Sequence, residues 1–151
     1  MIGLKSDTAI ELKSETLRRV YHDWDLRRGL RRFPARGDID PIDFKYVLGR
    51  ITLLDVLRDP LDYRYRLCGS ITAARYGVDM TKRCVSEIPS PELRDAVRSH
   101  LDEVLRLEAP VARFYDRTCL DGWVLHSEVI VLPLSRDQCA IDMLMTASVH
   151  F

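Results

Sequence analysis

Three segments near the C-terminal end of the chain alternate apolar and polar residues and are separated by very short connections. They span residues 111–119, 123–134 and 138–149, and the connections are Asp121-Gly122 and residues 135–137. An Asp-Gly pair is a strong β-hairpin signal, and connections this short make neighbouring strands antiparallel. We therefore expect a three-stranded antiparallel meander, which any fold of this chain must accommodate.

Two further strands are predicted before the meander. Residues 51–57 form the first, which ends at the turn over residues 58–60. In the second, Tyr63, Tyr65 and Leu67 alternate with arginines and a cysteine, the period-2 pattern of a strand with one face on a core. The sheet is thus predicted to have about five antiparallel strands, with helices on one face, which is an α+β architecture.

Helices are predicted between the second strand and the meander. Ser70 is the expected N-cap of the first, and Gly77 supplies its left-handed stop. A second short helix is expected over residues 81–88. The longest helix of the chain begins after Ser90, where a proline and an acidic residue follow the cap, and runs to about Leu107, or roughly 27 Å.

The N-terminal part predicts an amphipathic helix that covers the sheet. Over residues 15–29 one helical face is apolar, and it is made of Leu17, Val20, Tyr21 and Trp24. The fourth strand carries an apolar strip on the face opposite its core side, formed by Ile130, Leu132 and Leu134. The helix is expected to cover this strip, either within one chain or from a second subunit, so these residues form a candidate dimer or partner surface.

The chain is expected to form one domain. Residues 1–14 are predicted to be a flexible lead-in, and residues 15–151 a single domain. Within it, N-terminal helices occupy about residues 15–49; the second of these helices is capped by Asp40. The core of the domain is expected over about residues 50–150.

Composition and charge argue against several classes of protein. Lysine and arginine total 23, as do aspartate and glutamate, so the net charge gives no sign of a nucleic-acid partner. No segment approaches the roughly 18 apolar residues of a membrane span, and we expect a cytoplasmic protein without a membrane partner. The four cysteines form no CxxC pair, which argues against a zinc site or a disulfide framework.

One segment is basic although the whole chain is neutral. Between Arg18 and Arg36 there are seven arginines and two aspartates. A solvated or partner-facing basic surface is the favoured interpretation. A phosphate-binding patch is the weaker alternative, because few aromatic residues are interleaved with the arginines.

Short motifs follow one another in a specific order through the first half of the chain. They are Trp24, PAR at 34–36, DIDP at 38–41, LDV at 54–56, YRYRL at 63–67 with Gly69, and YG at 76–77 with Asp79 and Thr81. This order resembles the bacterial PAS domain family whose members often stand alone as short proteins, and the resemblance covers most of residues 20–145. One departure is Lys82, at a position where the family tends to have glycine.

The resemblance implies a PAS fold and a sensory or regulatory function, without a ligand common to the family. A small molecule would bind between the long helix and the sheet, and the domain, expected to be a homodimer, would signal to an unknown protein partner. The candidate pocket residues are Tyr65, Leu67, Tyr76, Val97, His100, Val104, Met143 and Met145.

His100 lies in the middle of the apolar face of the long helix, which also carries Leu93, Val97 and Val104. Haem-binding PAS proteins take their axial histidine from this helix, so the resemblance admits a haem ligand as a minority alternative. We favour a core histidine that is hydrogen-bonded to a backbone carbonyl or a buried carboxylate. No metal site is otherwise indicated, and the cofactor is left open.

Cys84 invites comparison with the reactive cysteine of light-sensing flavin PAS domains. The NCRFLQ sequence of those proteins is absent here, so flavin photochemistry is not expected. A lowered thiol pKa beside Lys82 and Arg83 is one alternative, and an ordinary small residue on a half-exposed helix is the favoured one.

Two other functions stay open beside sensing. One is a ligand-free PAS module that only mediates protein interaction. The other is a small isomerase-like α+β cone enzyme, which would need a buried acid or His126 in a solvent-accessible cavity. Its candidate groups are His126, Glu128, Asp116 and Asp142, and no catalytic constellation is evident among them, so we do not expect an enzyme.

Overall fold

The structure is a computed structural model that describes residues 10–118 and 124–151. Most of the predicted lead-in lies outside the described residues. So do the predicted Asp121-Gly122 turn and the strand ends expected at Cys119 and Trp123. Within the described ranges, no helix is both long and apolar enough to cross a membrane.

The elements follow the predicted order. The α-helices of the described ranges are α1 (Glu15–Arg28), α2 (Ser70–Tyr76) and α3 (Pro91–Leu107), and 3₁₀ helices occupy Arg36–Asp38, Pro41–Arg50 and Val85–Glu87. The strands are β1 (Ile51–Leu57), β2 (Asp62–Cys68), β3 (Val111–Thr118), β4 (Val124–Leu134) and β5 (Met143–His150). The caps of α1 and α3 are serines, because the side chain of Ser14 accepts from the backbone of Leu17 and that of Ser90 from Leu93.

The strands form one antiparallel sheet in the order β2-β1-β5-β4-β3. The expected α+β class with a five-stranded antiparallel sheet is therefore confirmed. The last strand, β5, lies at the centre and joins the β1–β2 pair to the β3–β4 pair. Its two neighbours are therefore β1, which is distant in the chain, and β4, which is the strand directly before it.

The sequence predicts that the last strand begins at residue 138, but in the structure it begins at Met143. A side-chain-stabilised turn occupies the preceding residues. The carboxylate of Asp137 accepts hydrogen bonds from the backbone N–H groups of Cys139 at 2.8 Å and Ala140 at 3.0 Å. The hydroxyl of Ser135 donates to the Ala140 carbonyl at 2.6 Å, so these backbone groups are satisfied locally and not by a neighbouring strand.

A β-bulge changes which face Leu67 occupies. Leu54 pairs with Tyr65, whereas Leu53 pairs with Leu67, so Arg66 is an extra residue on β2. Because side chains alternate with period two, one extra residue turns those that follow to the other face. Leu67 is 39% exposed and Cys68 is buried, which corrects the expectation that Leu67 faces the core.

The helix α1 covers the outer face of the sheet within the same chain. Leu17, Val20 and Trp24 are buried, and the Trp24 indole donates to the Pro133 carbonyl at 3.0 Å. Beneath it lie Ile130 and Leu132, which are fully buried. Burying each of these large side chains contributes about 1.5–3 kcal/mol, and this is what holds the helix against the sheet.

The segment after α2 follows the edge strand and is not a helix over residues 81–88. The backbone N–H of Lys82 donates to the Tyr65 carbonyl at 2.7 Å, and the backbone N–H of Tyr65 donates to the Arg83 carbonyl at 2.9 Å. Only Val85–Glu87 is helical, as a 3₁₀ turn. Lys82 has φ of 71°, a left-handed conformation that favours glycine. This conformation accounts for the glycine that the PAS family tends to have at this position.

Gly69, and not Ser70, is the N-cap of α2. A Cβ atom on Gly69 would lie 2.5 Å from the carbonyl oxygen of Gly49 and 2.6 Å from that of Ile51. The backbone after β2 therefore passes so close to the start of β1 that a side chain cannot fit there.

Carboxylates and an aromatic ring contact arginines of the basic N-terminal segment. Arg27 pairs with Asp43 at 2.8 Å and Arg31 with Asp38 at 2.8 Å. Arg19 lies over the ring of Tyr46, 3.8 Å from its centroid. Since these partners come from the following loop and 3₁₀ helices, much of the predicted basic surface is committed to contacts within the chain.

Candidate functional site

A cavity of about 520 Å³ lies between α2, α3 and the inner face of the sheet. Its volume is within the range of roughly 300–1,000 Å³ that is typical of small-molecule sites. The helix α3 contributes an apolar wall, which includes Leu93, Ala96 and Val97, and Val129 and Val131 contribute from β4.

The sheet side of the cavity is rich in hydroxyl groups. Thr52 of β1 pairs with Thr146 of β5, and Ser127 of β4 pairs with His150 at the end of β5. Ser148 also lines the cavity between these positions. The polar face of β5 thus points to the cavity, where hydroxyls and an imidazole offer both donors and acceptors.

Unpartnered polar atoms border this cavity. In the described part of the chain, the buried side-chain atoms without a hydrogen-bond partner are Thr52 Oγ1 and both ring nitrogens of His150. Both residues line the cavity. An unsatisfied buried polar group costs about 1–3 kcal/mol, so three such atoms in one cavity are a reason to expect a polar occupant.

The environment of His150 disfavours its charged form. Burial lowers the pKa of the imidazole, and the nearby cations Arg75 and Arg50 lower it further. Arg75 lines the cavity from α2. The polar end of the cavity therefore combines cationic groups with a histidine that is neutral at pH 7.

His100 is a packed core histidine. Its Nε2 lies 2.8 Å from the carbonyl oxygen of Val111, and its Nδ1 lies 2.7 Å from the Tyr115 hydroxyl. The carbonyl can only accept, so Nε2 carries the proton and donates, and Nδ1 accepts from Tyr115. Burial, the larger cause, lowers the pKa of His100 to about 4. Both nitrogens are already engaged, so this residue does not fit the role of an axial haem ligand.

Two tyrosines of the predicted pocket meet at the cavity. The ring of Tyr65 packs edge-on against that of Tyr76 with centroids 6.3 Å apart, and their hydroxyls are 3.4 Å apart. Burial raises the pKa of Tyr65. The Tyr65 phenol therefore stays protonated and provides a neutral hydrogen-bonding group.

The structure brings four of the predicted pocket residues to the cavity wall. These are Tyr65, Tyr76, Val97 and His100. The other four do not line it. Val104 is fully buried outside the cavity, Leu67 is turned outward by the bulge, and Met143 and Met145 lie on the outer face of the sheet.

Met143 and Met145 are predicted to line the pocket, but they lie on the opposite face of β5. Met145 pairs directly with Leu132, so both point to the face that α1 covers. The cavity receives the alternate residues Thr146, Ser148 and His150, which are not among the predicted pocket residues. The available signal was their alternation with the methionines, because the two faces of a strand carry every second residue.

The predicted outer-face residues come together inside one chain. Leu17, Val20 and Trp24 of α1 are buried with Ile130 and Leu132 of β4. Tyr21 is half-buried and stacks on Trp24, with ring centroids 6.0 Å apart. Of the two arrangements left open by the sequence, the structure contains the intramolecular one.

Glu128 is the buried carboxylate of the sheet, and it lies outside the cavity. It has no exposed surface, and its two oxygens accept from the backbone N–H groups of Lys13 at 2.8 Å and Ser14 at 2.9 Å. The end of the predicted flexible lead-in is thereby attached to the outer face. The residues on either side of Glu128, Ser127 and Val129, line the cavity.

The groups considered for catalysis do not converge. His126 Nδ1 lies 2.6 Å from a carboxylate oxygen of Asp116, and both side chains are exposed. Asp142 is also exposed and accepts from the backbone of Arg136 at 2.8 Å. Within the ranges the structure covers, no group of three or more potential metal ligands is present.

Cys84 has an environment opposite to the one that reactivity requires. Burial raises the pKa of its thiol, and the carboxylates of Asp62 and Glu87 raise it further. The neighbouring cations Lys82 and Arg83 are exposed. Cys84, Cys68 and Cys139 are free thiols.

Solved structures with the same fold include several sensory proteins. One is a sensory box sensor histidine kinase from Vibrio cholerae, with a TM-score of 0.51 and 15% identity over 73% of this chain and 90% of that chain. A second is the VqmA dimer of Vibrio cholerae, with a TM-score of 0.53 and 12% identity over 70% of this chain. The match covers 48% of the VqmA chain, about half its length. A third is a LOV protein from Rhodobacter sphaeroides, with a TM-score of 0.50 and 11% identity over 75% of this chain and 69% of that one.

At these identities the structural similarities establish the fold alone. No curated protein matches the chain in sequence. The family model described as "PAS domain" matches residues 12–147, which includes α1 and nearly the whole sheet. With this match, the motifs of its first half and the observed sheet, the chain belongs to the PAS domain family.

Proposed function

We propose that this chain is a sensory PAS domain that binds a small molecule between α3 and the sheet. The observation that carries the proposal is the cavity of about 520 Å³ bordered by the unpartnered polar atoms of Thr52 and His150. A bound polar molecule would satisfy these atoms while it fills the apolar part of the cavity. Folded proteins seldom leave buried polar groups without partners, and a ligand in the cavity is one way to satisfy such groups.

The proposed output passes through β4 to the N-terminal segment. Ser127 and Val129 face the cavity, and Glu128 between them holds the backbone of Lys13 and Ser14 on the outer face. A small displacement of this strand by a ligand would act on the attachment of α1. The ligand must bind one arrangement of the strand and helix more tightly than the other for this to transmit a signal.

The signal is proposed to reach a protein partner through a homodimer. VqmA, a protein of the same fold, is described as a dimer and as bound to DPO. The exposed side of α1 supports a role in contacts, since Leu26 is exposed there and Leu30 directly follows the helix. Light scattering on the purified protein would measure the dimer, and a monomer at micromolar concentration would contradict this part of the proposal.

Native and denatured mass spectrometry test the proposal, together with an absorption spectrum of the protein purified without refolding. We expect a mass difference between the two states, or a ligand-induced rise in melting temperature in a metabolite screen. The variant Ala96→Phe places a ring in the cavity and should abolish either effect. Ala74→Phe, on the exposed side of α2, is the control and should bind as the wild type does.

Two results would contradict binding in this cavity. One is a bound molecule that Ala96→Phe retains while the variant is folded by circular dichroism. The other is an empty protein that no compound stabilises, which would favour a PAS module that acts only through protein contacts.

A further inference from the structure

The polar end of the cavity carries positive charge. Arg75 reaches the cavity from α2, and Arg50, at the end of the preceding 3₁₀ helix, is near enough to His150 to act on its titration. The ring nitrogens of His150 have no hydrogen-bond partner, and Thr146 and Ser148 adjoin it on the same strand face. Cationic side chains, an unpartnered imidazole and hydroxyls therefore surround one end of an otherwise apolar space.

We propose that the cavity recognises a small organic carboxylate, with the carboxylate group held by Arg75 and His150 and an apolar body against α3. This inference rests on the proposed function, since it names the class of ligand for the same cavity. A guanidinium group binds a carboxylate through paired N–H donors, and charge-assisted bonds are the stronger ones. The wall formed by Leu93, Val97 and Val131 would contact the rest of the molecule.

The acidic residues that border the cavity in the described part of the chain are exposed. Two acidic residues border it in the described part of the chain, Glu92 and Asp116. Glu92 is exposed in the first turn of α3. The Asp116 carboxylate faces His126, which lies on the same strand face as Glu128, away from the cavity. An anion in the interior would have Arg75 and the hydroxyls of Thr146 and Ser148 among its neighbours.

Binding of a carboxylate should be coupled to protonation of His150. In the free protein burial and the cations Arg75 and Arg50 lower its pKa, and Ser127 on β4 is its uncharged neighbour across the strands. An anion at the ring favours the imidazolium, so binding of the anion takes up protons. Carboxylate affinity should consequently rise as the pH falls from 8 to 6, a range in which the ligand itself stays ionised.

Matched acids and amides provide the test. Isothermal titration at pH 7 would compare benzoate with benzamide and hexanoate with hexanamide on the full chain. We expect at least one acid to bind about tenfold more tightly than its amide. Arg75→Gln and His150→Gln should each weaken that acid about tenfold and leave the amide within about twofold, and His150→Gln should remove the pH dependence. Arg83→Gln, at an exposed arginine outside the cavity, is the matched control.

Several outcomes would overturn the inference. They are equal binding of acid and amide, unchanged acid affinity in both variants with circular dichroism as in the wild type, and no binding of either acid. If acid and amide bind equally and Ala96→Phe abolishes the binding of both, the preference for a carboxylate is refuted and the proposed sensor function stays in place. Failure of every compound in the metabolite screen would count against both.

Discussion

The attachment of the N-terminal segment depends on one buried carboxylate, and Glu128→Gln tests it. The two carboxylate oxygens each accept one backbone N–H, from Lys13 at 2.8 Å and from Ser14 at 2.9 Å. The amide of glutamine keeps one acceptor and turns an NH2 group toward the other backbone N–H. Hydrogen bonds to charged groups contribute about 1.5–3 kcal/mol each, so losing one and its charge should lower the free energy of unfolding by about 2–3 kcal/mol.

The loss should also be local, because Ser14 is the N-cap of α1 and its hydroxyl accepts from the Leu17 N–H at 3.2 Å. We expect the amide protons of Lys13, Ser14 and Leu17 to exchange faster in the variant. The exchange rates of the amide protons in α3 should change only as much as the global free energy of unfolding requires. Urea unfolding measures the total effect, and hydrogen exchange locates it.

Glu11→Gln is the control, since Glu11 is exposed in the same segment and its replacement should change stability by less than about 0.5 kcal/mol. A free energy of unfolding for Glu128→Gln within about 0.5 kcal/mol of the wild type would contradict this prediction, because an ordinary surface substitution has an effect of that size. Unchanged hydrogen-exchange protection of the Lys13 and Ser14 amides would contradict it equally. Either result would mean that packing of α1 alone holds the segment.

Two further predictions concern the core. The pKa of His100, lowered from 6.5 to about 4 in the folded state, makes a contribution to stability that is complete above pH 6.5 and declines by up to about 3 kcal/mol as the pH falls toward 4. In His100→Gln the unfolding free energy should depend less on pH over this window, and an identical pH profile in urea titrations would disprove the assignment. Gly69→Ala should cost about 3 kcal/mol or prevent folding, since its Cβ would meet two carbonyl oxygens at 2.5 and 2.6 Å. Gly37→Ala, which meets no atom within 4 Å, should unfold at nearly the wild-type urea concentration, and equal melting temperatures for the two variants would contradict the steric argument.

The sequence was sufficient for elements whose signals are local. Ser90 followed by a proline marked the start of α3, and the alternation in β4 placed Ile130 and Leu132 under the N-terminal helix. Both signals arise within a few residues, from cap chemistry and from the pleat of a strand. Such local signals can therefore be recognised in a single sequence.

The cavity could not be found in the same way, because its wall combines residues that are distant in the chain. The sequence predicts the pocket on the apolar face of β5, with Met143 and Met145, but a sheet that is covered on both sides has apolar residues on both faces. Nothing in the sequence around His150 indicates that its ring nitrogens are buried without hydrogen-bond partners. The bulge at Arg66 likewise depends on how β2 pairs with β1, and the local sequence pattern of β2 does not show this pairing.

The central position of β5 has a consequence for how the domain is made. The β1–β2 and β3–β4 pairs each join strands that are close in the chain, and within the sheet only the last strand, β5, connects the two pairs. During synthesis both hairpins leave the ribosome with a bare strand edge, and the sheet cannot close until residues 143–150 emerge. Folding should thus be limited by non-local pairing, and the unjoined strand edges are exposed to aggregation or to a chaperone until β5 pairs with them.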